Sequence, residues 1–178
     1  MILHARTAAI RELWGEQALA ELADRLSPEA RRATLGAELA TLKWYPTRYV
    51  LEWDSAMMDG PARGDEQAFR RAVQRSIQLG FGRIRRVLLS FATPTLLAER
   101  AAELWRHDHT HGRLTAEASG NAGARVTLAG HPFVQSPVSC IAIAEAVRQI
   151  LSLSRASNVR DSHAVSGDAL VIALAWDP

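Results

Sequence analysis

A chain of 178 residues, 48% hydrophobic and 22% charged, has the balance of a soluble globular protein and the length to bury a sizeable core. A formal net charge of +2 excludes a protein-wide field for nucleic acid; the pI near 9.2 reflects arginines that never titrate, Lys43 being the one lysine. A single cysteine, Cys140, excludes an intramolecular disulfide and fits a reducing compartment.

The opening MILHARTAAIRELW lacks the continuous apolar core of a secretory signal, and the longest apolar run, Ala169–Trp176, is strand-sized. A cytoplasmic protein without a membrane span is the expectation. Residues 2–25 read as a helix with Ile10, Leu13, Trp14 and Leu22 near one stripe, and residues 1–35 as an N-terminal arm or dimer element. Ser27-Pro28-Glu29 restarts a short helix that Gly36 stops. A helix follows Pro46 through Met58 and groups Tyr49, Val50, Trp53 and Met57. Asp59–Gly64 is a loop, and Glu66 to Leu79 a helix burying Phe69, Val73 and Ile77. Gly80-Phe-Gly82 breaks it before an apolar stripe of Ile84, Val87, Leu88 and Phe91.

Thr93 and Pro94 then cap a helix whose apolar face is Leu97, Ala101, Leu104 and Trp105. Three alternate histidines lead to a hairpin: Leu114, Ala116 and Ala118 alternate with polar residues, residues 120–123 turn the chain, and Val126 and Leu128 continue the pattern. Ser136-Pro137 caps a helix over 138–153, apolar nearly all round in its first half. A second hairpin closes the chain, 157–165 with 169–176 around a Ser166–Asp168 turn. The order predicts a single α+β domain over 1–178, its core over 36–178: a four-stranded antiparallel sheet of two hairpins packed against about six helices.

Several residues suggest chemistry. His107, His109 and His111, two apart in an extended chain, share a face and could hold one divalent metal, zinc or nickel. At a helix-to-strand junction the same imidazoles also suit a polar connector near a helix C-terminus. Cys140, early in its helix, reads as a nucleophile or acylation site if His131 or His163 approaches, and otherwise as a small buried hydrophobe. Arg70, Arg71 and Arg75 suggest an acidic protein partner or a solvated helix face. No aromatics interleave with them, so nucleic acid is not expected. Trp44, Tyr49, Trp53 and Trp105, with Tyr45 and Cys140, line an apolar pocket or fill a core. P-loop, dinucleotide-binding, G-x-S-x-G and H-E-x-x-H motifs are absent.

The runs LKWYPTRYVLEW and GFGRIRRVLLSFATPTLLAERAAELWRHDHTHGRLTAEASG, then a helix with an early cysteine and a final hairpin, resemble a group of uncharacterised myxobacterial proteins. That group is similar to the superfamily of heme-based nitric-oxide/oxygen-binding domains, 4-vinyl reductase domains and TRAPP subunits. The likeness covers the chain from about residue 36. It implies a helix–sheet fold that holds a small or lipid-like molecule, or a dimeric assembly module. The heme branch's Tyr-x-Ser-x-Arg has its nearest counterpart in Leu151-Ser-Leu-Ser-Arg155, without the tyrosine and with Leu153 at the serine, so the motif does not support heme. The acylated TRAPP cysteine is not carried over to Cys140. Three readings follow: a non-enzymatic binding and signalling module for a small apolar ligand, a homodimeric interaction or scaffold protein, and a metal-dependent enzyme built on the three histidines.

Overall fold

The computed structural model describes residues 2–36, 45–81 and 92–177. The expected apolar stripe of Ile84, Val87, Leu88 and Phe91 lies outside them, as does Trp44. The chain divides into two compact units, Met1–Gly82 and Arg83–Pro178.

The first unit is helical: α1 (Ile2–Asp24), α2 (Pro28–Leu35), α3 (Thr47–Asp59) and α4 (Glu66–Gly80). Helix α1 is not the continuous rod its sequence suggests. Gly15 takes φ 84° and ψ −179°, a conformation open to glycine alone at no steric cost, and breaks the helix in two. The buried stripe is therefore Ala5, Ala9 and Ile10 before the break and Leu19, Leu22 and Ala23 after it, while Leu13 stays 38% exposed. The N-terminal segment expected as an arm packs along α4, and Ile10 and Leu22 are fully buried in this unit's core with Trp53, Met57 and Phe69.

Ser27 does two jobs. Its hydroxyl oxygen accepts from the Ala30 N–H, capping α2, and its O–H and N–H donate to Glu52 on α3 at 2.7 and 3.2 Å. Asp65 caps α4 by accepting from the N–H groups of Gln67 and Ala68. Arg6 of α1 donates to Asp54 of α3 in a pair whose carboxylate side is 2% exposed. Paired this way, a carboxylate can sit inside a helical core without an uncompensated charge.

The second unit contains α5 (Pro94–Asp108), β1 (Arg113–Ala118), β2 (Gly123–Ala129), a 3-10 turn (Pro132–Gln135), α6 (Pro137–Ser152), β3 (Ser157–Ser166) and β4 (Ala169–Asp177). Both hairpins join one antiparallel sheet of order β1-β2-β4-β3. Register places Leu114 opposite Leu128 and Leu128 opposite Leu170; Ala116, Val126 and Ile172 form the next row. These rows are one face, and its Leu114, Val126, Leu128, Leu170, Ile172 and Leu174 are buried; Arg113, Glu117, Arg125 and Ala173 on the other face are exposed. Burying each such leucine or isoleucine stabilises by about 1.5–3 kcal/mol. Helix α5 packs on β1 and α6 on β3, flanking that core. The architecture is the expected α+β class.

Helix α5 departs from its expected face. Leu97, Ala101 and Trp105, four residues apart, turn inward, whereas Leu104, on the Leu97 edge of that stripe, is 56% exposed. Helix α6 is capped as expected, the Ser136 hydroxyl accepting from the Ser139 N–H.

Candidate functional site

The densest group of functional side chains lies at the base of the first hairpin. Trp105, in the last turn of α5, is buried and donates from Nε1 to the His111 carbonyl at 3.2 Å. The His109 N–H closes the helix on the Trp105 carbonyl at 2.9 Å, and the His109 ring lies flat on the indole, centroids 3.7 Å apart. Past β2, Gly130 (φ 64°) turns the chain so that His131 caps the 3-10 turn. The His131 ring stands edge-on to Trp105 at 5.3 Å and to His109 at 5.6 Å, and leans on Phe133 at 4.3 Å.

His131 is a neutral imidazole. Its Nδ1 accepts the Phe133 N–H at 3.2 Å, which puts the proton on Nε2, and the residue is 3% exposed. Burial, reinforced by the nearby His109 and His111, pushes its pKa down to about 4. Cys140 completes the group. Its Sγ–H points at the carbonyls of Phe133 and Val134, 3.5 and 3.7 Å away, and burial raises its pKa. A buried thiol directed at two carbonyls, with its pKa raised, is not an activated nucleophile.

A second polar group lies between α6 and β3. Glu145, 1% exposed, receives a close contact from the Arg148 guanidinium, which also reaches Asp161 at 3.7 Å; His163 Nδ1 stands 4.0 Å from Asp161. Sequence reasoning missed this network. Its signal was a Glu145-x-x-Arg148 pair inside an apolar helix, where two charges three apart are tolerated only together.

The residues singled out from sequence distribute as follows. Tyr49 and Trp53 share α3: Tyr49 is half-buried beneath the Arg48 guanidinium, 4.8 Å from its ring centroid, and Trp53 is fully buried. Trp105 and Cys140 belong to the second unit and connect through His131 and Phe133. The alternation expected of His107, His109 and His111 does not hold. Helix α5 runs through Asp108, so His107 is exposed on its last turn, His109 is its C-cap, and His111 lies in the connector with Nδ1 2.8 Å from the Thr110 hydroxyl. Among the described residues no three His, Cys, Asp or Glu side chains are grouped to hold a metal ion. Arg70, Arg71 and Arg75 each face a carboxylate of their own chain: Glu66 at 2.8 Å, Asp65 at 4.0 Å and Glu12 at 2.8 Å.

No protein-family model matches the chain, and no curated protein does. Solved structures match it along its whole length. An H-NOX protein from K. algicida in the Fe(II) unliganded state superposes with a TM-score of 0.70 at 8% identity, covering 99% of this chain and 95% of that one. An H-NOX protein from S. oneidensis in the Fe(II)NO state gives 0.69 at 11% identity, with 99% and 98% covered. An oxygen-binding H-NOX domain related to soluble guanylate cyclases gives 0.64 at 10% identity, with 99% and 94% covered. The class that the helices and sheet define is therefore the H-NOX fold. Among the described residues no helix is long and apolar enough to cross a membrane.

Proposed function

We propose that this chain is a non-enzymatic sensing module that holds a small, largely apolar ligand and signals its occupancy to a partner. The carrying observation is the H-NOX fold, matched over 99% of this chain and 98% of the S. oneidensis domain. Known activity on the same fold does not transfer by fold alone, so the ligand class rests on the residues present.

Haem is the ligand that these neighbours suggest, and the mismatch at Leu151–Arg155 does not decide against it, since the fold persists at 8–11% identity. The donor set is the sharper test, because a ligated haem needs an axial His, Cys, Tyr or Met. All six histidines, both tyrosines and the cysteine are among the described residues. His4, His107 and His111 are exposed. His109 is stacked on Trp105, His131 is enclosed by three aromatic rings, and His163 faces Asp161. Cys140 is a protonated thiol directed at carbonyls, and Tyr49 carries Arg48 on its ring and at its hydroxyl. None of these described donors is singled out as an axial ligand, and Met57 and Met58 are packed in the core of the helical unit. An iron-free ligand held by packing and a few hydrogen bonds fits this donor set better.

Native mass spectrometry and an absorption spectrum of the full chain, purified without detergent, test the proposal. Expected is an added mass that is released on unfolding, with no Soret band. A Soret band that shifts on reduction and with nitric oxide would keep the sensing reading and replace the ligand class. A chain that carries no added mass and takes up no apolar ligand would end the sensing reading.

A further inference from the structure

The indole of Trp53 is fully buried on α3, and its Nε1–H meets no acceptor among the described residues. Its surroundings are otherwise well satisfied. The next residue, Asp54, is paired with Arg6, and Glu52 accepts from Ser27. The other indole that the aromatic reading placed beside it, Trp105, has its N–H on a carbonyl. A buried donor without an acceptor keeps the full cost of its lost hydration, which a phenylalanine of similar shape would avoid. An indole N–H left open inside an apolar core is the kind of group that a ligand completes.

We infer that the Trp53 Nε1–H is the hydrogen-bonding handle for the ligand of the proposed sensing module, and that this ligand is a neutral apolar molecule bearing a carbonyl oxygen. The inference rests on the sensing reading and adds the chemistry of its site. The charge state follows from the neighbours. Arg6 is matched by Asp54, the residue that follows Trp53, so this pair offers no unbalanced positive charge for a carboxylate. A single neutral donor suits a single neutral acceptor, and a buried anion would need several. Tyr49 and Met57, one turn before and after Trp53 on α3, supply the adjoining surface.

The test uses the full-length protein, the probes 2-decanone and the fluorescent ketone 6-propionyl-2-(dimethylamino)naphthalene, and the variant Trp53→Phe. In a ¹⁵N-labelled sample the Trp53 indole resonance is the one missing from the variant. Expected for the wild type is ketone binding that moves this resonance downfield. Trp53→Phe should bind roughly three- to tenfold more weakly, the loss of one neutral hydrogen bond. The variant should unfold at the same temperature as the ligand-free wild type or higher, which separates the effect from misfolding.

Equal ketone affinity in wild type and variant, with the variant merely more stable, would overturn the handle and leave the sensing reading standing. Absence of ketone binding to the wild type would overturn the inference as well. The added mass sought under the proposed function then reports separately on sensing.

Discussion

Gly112 and His131 are in direct contact: a Cβ built on Gly112 would lie 2.6 Å from the His131 Cβ and 3.2 Å from the Ala129 carbonyl oxygen. Gly112 also has φ +73°, so its lack of a side chain is needed twice, once for the backbone and once for the approach. Replacing it forces either the connector after α5 or the start of the 3-10 turn to move. The variant Gly112→Ala is expected to lose about 2–4 kcal/mol of stability, combining positive-φ strain with overpacking. Urea denaturation measures it; a loss below about half a kcal/mol, the range of an ordinary surface substitution, would contradict the described packing.

The neutral state of His131 predicts a pH dependence with a defined sign. Above pH 6.5 the imidazole is neutral in both folded and unfolded chains. As pH falls from 6.5 towards about 4, the unfolded chain takes up a proton that the folded chain refuses, so stability falls. The loss across that window is on the order of 3 kcal/mol. In His131→Phe this part of the slope should vanish. A variant whose stability still falls as steeply between pH 6.5 and 4 would place the titrating group elsewhere.

Arg6 and Asp54 form the buried ion pair of the helical unit. Arg6→Met or Asp54→Leu alone should destabilise by about 3–5 kcal/mol, because each removes one half of a buried charge pair; the double variant should recover much of that loss. A double-mutant cycle read by chemical denaturation would expose an additive, uncoupled pair.

Cys140 should be a slow thiol. It is 2% exposed and its pKa is raised by burial, so a maleimide at neutral pH should label it only as the fold opens. Labelling of the folded protein at the rate of a free thiol would contradict this placement. Cys140→Ala is expected to cost about 1 kcal/mol and to leave ligand binding unchanged if the thiol only fills space.

Elements with local punctuation were legible in the sequence. Thr93-Pro94 and Ser136-Pro137 start α5 and α6 where cap chemistry places them, alternation marked β1 and β2, and an uninterrupted apolar run marked β4. Residues whose fate depends on distant packing were not. Gly15 gives no sign of its φ within an amphipathic run, and Leu104 is exposed although it is as apolar as Leu97. The three alternate histidines invited an extended reading, but α5 continues through two of the five residues concerned before the backbone turns. His131 entered the sequence reading only as one possible partner of Cys140. Its place between Trp105 and Phe133 depends on Gly112 and Gly130, whose backbone angles no spacing reveals.

The seam of the sheet has a kinetic consequence. Each hairpin closes across a short turn, a step of about 1–10 μs. The β2–β4 rungs, such as Val126 with Ile172, join segments separated by the 3-10 turn, α6 and all of β3. Contacts so far apart in the chain carry the loop-closure entropy that slows folding, so this seam should form last in the second unit. Val126→Ala should then mainly accelerate unfolding and leave the refolding rate nearly untouched, as stopped-flow fluorescence would record.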